Sequence, residues 1–253
     1  MVPEILLPLL TGWISGIVIN YLSDTLPVAR RLTKPFCKAC GAEFKIIDYA
    51  FWLRRCNHCG AARGKRAWVV ELFLILSSIW LWSNSPADLG YWSGIILLSY
   101  FVLITVIDLE HRLILHMTSL VGLIFGLWAG IKLHGFFSTI AGGAVGFALM
   151  LLLYYSGFVY LRISRKFRGK ESVESEALGF GDVNLSGIIG LCLGWPGILA
   201  GLILAILLAG FVSLLYLLIM LARRNYHPDS ALPYGPFLAT SAVLLLFLRT
   251  LLF

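Results

Sequence analysis

Long apolar windows alternate with short polar ones along the chain. Windows with little or no charge fall at about 5–23, 67–83, 91–107, 117–131, 135–161, 183–194, 198–222 and 237–253. A helix needs about 20 apolar residues to cross a hydrocarbon core of roughly 30 Å. The pattern therefore predicts an all-α polytopic membrane protein of about eight transmembrane helices. Residues 183–222 carry no formal charge, a stretch about twice one span, and Trp195-Pro196-Gly197 divides it where proline and glycine punctuate helices. This reads as a helical hairpin whose first arm, about 12 residues or roughly 18 Å, is too short to cross alone. The preceding Gly179-Phe180-Gly181-Asp182 must then cap a short helix or dip into the membrane. The first window lacks a basic leader and a small-residue cleavage site, so it is expected to stay as helix one.

Composition closes off the soluble alternative. The 253 residues are 59% hydrophobic and 13% charged, against about 45–50% and about 25% in a soluble domain. Alternating eight spans places every lysine and arginine except Lys132 and Arg249 in the loops 24–66, 108–116, 162–182 and 223–236. The excess of basic residues marks those loops as cytoplasmic and puts both termini on the opposite face. The net charge of +7 is then a topology signal and an attraction to anionic membrane lipid, and a nucleic-acid role is excluded. The chain divides into helix one at 1–27, a polar cytoplasmic module at 28–66 and the remaining helices at 67–253. Glycines four apart at Gly12/Gly16, Gly122/Gly126/Gly130 and Gly142/Gly146 predict close helix packing in lipid.

The polar module carries Cys37-x2-Cys40, fifteen residues, then Cys56-x2-Cys59. Two residues between cysteines let both sulfurs of a turn face one point, and two such turns make a four-thiolate site with zinc spacing. Structural disulfides are disfavoured in a reducing cytoplasm. Structural zinc is therefore expected on Cys37, Cys40, Cys56 and Cys59, stapling a loop too small to build a core. Four thiolates leave the metal no open position for catalysis. His58 lies inside the second turn without being needed as a ligand, and Cys192, alone in an apolar run, is read as packing.

Acidic residues near membrane depth are few, because burying one costs several kcal/mol unless it is neutralised or solvated. Asp108 ends the third span in LITVIDLEHRLIL and Asp182 begins the sixth, so the topology puts both at cytoplasmic helix ends. Two carboxylates brought together do not both ionise easily: one keeps a proton and the other stays charged. Such a pair suits peptide hydrolysis, the ionised partner taking a proton from water while the protonated one polarises the scissile carbonyl. The glycines flanking Phe180 would let backbone leave helical geometry and approach an extended substrate. Each aspartate alone also fits a helix-end cap or a partner for Arg112, and small-solute carriers use acidic residues and broken helices too. On the residues alone, an intramembrane aspartyl protease and a carrier both stay open. Glu110, His111 and His116 are read as solvated. Asn20, Asp24 and Glu71 either pair locally or line a cleft beneath the module.

These stretches resemble a known family. LGFGDVNLSGIIGLCLGWPG is similar to the GxGD segment of bacterial type IV prepilin peptidases, IDLEHRLIL to the stretch holding their first catalytic aspartate, and ALPYGPFLA at 231–239 to the start of their final helix. The paired CxxC module and GWISGIVIN at 12–20 match in the same order, so the resemblance covers nearly the whole chain. It implies an eight-span aspartyl protease of the bacterial plasma membrane that removes the basic leader of prepilins or pseudopilins on the cytoplasmic side, with Asp108 and Asp182 as its catalytic pair. In many members the same enzyme methylates the new N-terminal amine with S-adenosylmethionine, an activity tied to the N-terminal half. The chain departs from the family at Ile114-Leu115-His116, where a proline and an acid are usual, and at Asn184, where lysine is usual. Arg66-Ala67-Trp68 replaces Arg-Tyr-Pro, and Thr25 replaces an arginine at the end of span one. The first two changes bear on substrate fit and the last two on methylation. A catalytically retired scaffold of a pilus or secretion machine would carry such departures as well.

Overall fold

The computed structural model describes residues 2–37, 39–44, 49, 55–56, 58–62, 64–86, 88–168, 179–223 and 233–248. Residues 169–178 and 224–232 of the two loops 162–182 and 223–236, and the last five residues of the eighth predicted span, lie outside them. Among the described residues the apolar windows form eight helices: α1 (Val2–Ala29), α2 (Lys65–Ser83), α3 (Gly90–His111), α4 (His116–His134), α5 (Phe136–Arg168), α6 (Phe180–Leu193), α7 (Gly197–Ala222) and α8 (Gly235–Val243). A π-helical turn, Leu244–Leu248, continues α8. Six of the eight are long and apolar enough to cross a membrane, and Phe180–Leu193 and Gly235–Phe247 are shorter. No strand forms among the described residues, only the isolated bridges Phe36–Glu43 and Arg55–Ala62. The chain is thus an all-helical membrane protein with a cysteine-bearing insertion after its first helix.

Two compact units divide the chain, Met1–Ile107 and Asp108–Phe253. In the first, α1 packs on α2 through the predicted small-residue face. A Cβ on Gly12 would lie 2.7 Å from Leu74 O and from Ile75 Cα, and one on Gly16 would lie 2.8 Å from Glu71 Cα. Pro8 interrupts the α1 ladder, and hydroxyls from Ser78 (2.6 Å) and Thr11 (3.1 Å) donate to its carbonyl. Tyr91 joins the same hydroxyl group through Ser78. At the other end of α1, Asp24 pairs with Arg66 at 2.7 Å and accepts the Tyr49 hydroxyl at 2.9 Å. Asn20 donates to Ala67 O and to Glu71. The three polar residues of this region are therefore locally paired.

In the second unit the short α6 is the core. Its residues from Ile188 to Leu193 are all buried, so it has no need of the length that lipid would demand. Glycines bring its neighbours in to backbone distance: Gly130 faces Leu191 O, Gly142 and Gly190 face each other's carbonyls, and Gly146 faces Ser186 O. Ser186 donates to Gly146 O at 2.9 Å, pinning α6 to α5. The predicted break at Trp195-Pro196-Gly197 turns the chain into α7, and Ser138 donates to Trp195 O there. Cys192 is buried, with its sulfur beside Gly126, as packing requires.

Candidate functional site

Asp108 stands one turn before the end of α3. The helix stops at Arg112, which adopts φ +52° and donates its N–H to Asp108 O at 2.9 Å. A left-handed non-glycine residue costs roughly 1–2 kcal/mol, so the sharp stop here is imposed by the surrounding structure. The short link to α4 carries Ile114 onto α6, where a Cβ on Gly181 would lie 2.7 Å from Ile114 Cβ. Gly179 is extended (φ −76°, ψ 141°) and caps α6, whereas Gly181 already lies inside the helix. The expectation that both glycines of the motif loosen the backbone is thus corrected: Gly181 serves close approach.

Asp182 occupies the third position of α6. Its N–H donates to Gly179 O at 3.0 Å, and its carboxylate reaches back to the Gly179 N–H, the reciprocal arrangement of a capping box with glycine as the cap. The positive end of the helix favours an acid there. Both aspartates are buried, 5% and 8% exposed.

They meet at the start of α8. A Cβ built on Gly235 would lie 2.6 Å from Asp108 Oδ2 and 3.5 Å from Asp182 Oδ1. Two oxygens from helices far apart in sequence therefore flank one point, and the sum of those distances bounds their separation. Asp108 Oδ2 is buried without a hydrogen-bond partner. The Gly235 N–H faces the same carboxyl without completing a hydrogen bond to that oxygen. Burial first, and then the charge of Asp182, push the Tyr234 hydroxyl up to about 12, so it stays protonated beside the pair.

Of the polar residues following Asp108, Glu110 and His116 are exposed as expected. His111 is not fully solvated: its Nε2 is buried, 3.8 Å from Glu110. Sequence reasoning names Ile114 only as a departure and Gly235 only within ALPYGPFLA, and gives neither a place beside the aspartates. Gly235 follows the Tyr234 cap and precedes Pro236, and its trace in the sequence is its place in ALPYGPFLA.

The four module cysteines form a second cluster. Their sulfurs all lie within 4.8 Å of one another, with Cys37–Cys59 at 3.7 Å and Cys40–Cys56 at 3.5 Å. A tetrahedral zinc thiolate site needs sulfurs about 3.8 Å apart, from Zn–S bonds of about 2.3 Å. Cluster and metal fit, and the set could hold a metal ion. Each half repeats Cys-x-x-Cys-Gly-Ala: Gly41 at φ +73° and Gly60 at φ +68° donate to Cys37 O and Cys56 O, both at 2.8 Å. No neighbouring atom crowds either glycine, so the left-handed backbone is what selects them. N–H groups of Cys59 and then His58 hold the Cys56 thiol down at about 6, and those of Cys40 and Ala39 lower Cys37.

Residues 95–221 match the type IV leader peptidase family. Among curated proteins the chain is similar to a prepilin leader peptidase/N-methyltransferase of Aeromonas hydrophila, 28% identical over 85% of this chain and 72% of that protein. One of Pectobacterium carotovorum is 30% identical over 83% of this chain and 71% of the relative. Another, of Aeromonas salmonicida, is 28% identical, and the chain spans 60% of its length. No solved structure matches the chain. With the matched region running from α3 through α7 and enclosing Asp108, Asp182 and the helices that carry them, the chain belongs to the type IV leader peptidase family.

Proposed function

We propose that this protein is an intramembrane aspartyl endopeptidase that removes the leader of a prepilin or pseudopilin, with Asp108 and Asp182 as its catalytic residues. The observation that carries this reading is the convergence of their oxygens on Gly235 at 2.6 and 3.5 Å. The pair shares one proton: the ionised carboxylate takes a proton from water while its partner polarises the scissile carbonyl, and the two then exchange roles. It is a multi-pass inner-membrane protein, and cleavage takes place at the cytoplasmic face, a side supported by the loops that hold all the basic residues but Lys132 and Arg249. The substrate's basic leader would be drawn to acidic head groups on that face.

The metal on Cys37, Cys40, Cys56 and Cys59 is structural zinc. Four thiolates fill its coordination, so it folds the insertion and takes no part in hydrolysis. The relatives' names include N-methylation, and S-adenosylmethionine would supply the methyl group for it. Among the described residues of the N-terminal half, Asp24 is engaged with Arg66 and Tyr49, and Glu71 with Asn20. No step is assigned to that donor.

Purified enzyme in detergent, incubated with a prepilin and S-adenosylmethionine, should yield a product lighter by the leader, and the same mass spectrum reads any added methyl group. Asp108→Asn and Asp182→Asn should each lower cleavage by at least about 10³-fold, as for a catalytic group acting as one of a unit. An uncut prepilin with the wild-type enzyme, or cleavage surviving either substitution, would overturn the reading.

A further inference from the structure

We propose that Gly235 is a positioning residue of the aspartate pair: its main chain forms one wall of the gap between Asp108 and Asp182, and its missing side chain sets how closely the two carboxylates approach. This rests on the peptidase reading above. Three observations point the same way. First, the space a Cβ would need at Gly235 is already taken by the pair, with Asp108 Oδ2 at 2.6 Å, Asp108 Cγ at 3.1 Å and Asp182 Oδ1 at 3.5 Å. Separations under about 3 Å from a Cβ force something to move, and the atom that must yield here is a catalytic oxygen. Secondly, Asp108 Oδ2 is buried without a hydrogen-bond partner, and the Gly235 N–H faces the same carboxyl, so Gly235 is the group set against it on this side. Thirdly, the backbone at Gly235 is fixed: Phe237 and Leu238 donate to Tyr234 O at 3.0 and 3.3 Å, and Pro236 stiffens the first turn of α8. A rigid main-chain wall standing against both carboxylates closes one side of the pair, so water and the scissile bond must reach it from another.

Gly235→Ala would drive a methyl group between the carboxylates. A displacement on the order of 1 Å at a reacting group lowers turnover by about 10²-fold, and KM should change much less than kcat, as for a residue that positions the carboxylates and not the substrate. Prying two coupled acids apart also brings their macroscopic titrations together. The bell-shaped pH profile of kcat should therefore narrow, by about one pH unit, which a loss of folded enzyme alone would not produce. Gly210, with open space around it, supplies the control: Gly210→Ala should keep the wild-type rate and profile.

A second measurement needs no activity. Asp108→Ala removes the two atoms nearest the new methyl group. Gly235→Ala should then lower Tm in the wild-type background and leave it unchanged in the Asp108→Ala background. If Gly235→Ala alone fails to fold, recovery of folding in the double variant supports the proposal, and continued failure overturns it. Wild-type kcat and pH limbs in Gly235→Ala, or the same loss of Tm in both backgrounds, also overturn it. Should Asp108→Asn still cleave, the peptidase reading falls and takes this inference with it. Should the asparagine variants be dead while Gly235→Ala is fully active, the inference alone falls.

Discussion

At the scale of single residues, the site depends on atoms that are not there. Gly181 lies inside α6, yet a methyl group on it would meet Ile114 Cβ at 2.7 Å, and Asp182 is the next residue along. Ile114 is held in place by the abrupt end of α3 at Arg112, whose left-handed backbone directs the link toward α6. Gly181→Ala must therefore push either the link or the first turn of α6, and both carry a member of the aspartate pair. The expected outcome is a loss of about 10²-fold in kcat. The closest clash is with Ile114 Cβ itself, which only glycine lacks, so Ile114→Gly in the same chain should restore most of that loss. A leader-cleavage assay of the single and double variants checks this. A double variant as slow as Gly181→Ala would show that Gly181 matters for a reason other than this contact.

Among the helices, α6 is the element on which the second unit is built, and its fit is made of backbone against backbone. Gly142 and Gly190 each stand where the other's carbonyl leaves no room for a methyl group. Gly190→Ala should destabilise the protein by about 1–3 kcal/mol, the usual penalty of overpacking. The same change at Gly210, on the open face of α7, should be neutral or stabilising by about 0.4–1 kcal/mol. Thermal unfolding in detergent, read by helical signal, distinguishes the two. Much of this level was legible beforehand. Charge-free windows report burial in lipid directly, so the helices and the break at Trp195-Pro196-Gly197 could be read off. Spacing within one turn is local, which made the cysteine pairs plain. Scarcity made Asp108 and Asp182 plain, since a charge in an apolar run is conspicuous. The embedding of α6 was not visible, because glycines four apart announce a close contact without naming the partner helix. Gly235 was hidden for the same reason: its importance lies in what stands across space from it.

Across the whole molecule, the two compact units each hold one chemistry: the cysteine cluster falls in Met1–Ile107, and the aspartate pair in Asp108–Phe253. A closed four-thiolate site has no catalytic vacancy, so the metal's effect should be confined to the folding of its own segment. Purified protein should contain about one zinc per chain. Removing it with a chelator under reducing conditions should open the insertion to trypsin at Lys34 and Arg55, with the helices from α2 onward keeping their helical signal, because a small module without a core depends on its metal to fold. Affinity should also rise with pH. Thiolates are the ligands, and although the Ala42 N–H pulls Cys40 down, its thiol hydrogen bonding with Cys56 pushes it up to about 12, so the metal must displace a proton there. With Cys56 held down at about 6, that thiol is ionised at neutral pH and imposes little further competition. Zinc competition titrations at pH 6 and pH 8 should thus show tighter binding at pH 8, with proton release on binding. An insertion that resists trypsin equally with and without the metal would mean that α1, α2 and the Asp24–Arg66–Tyr49 contacts hold it without help.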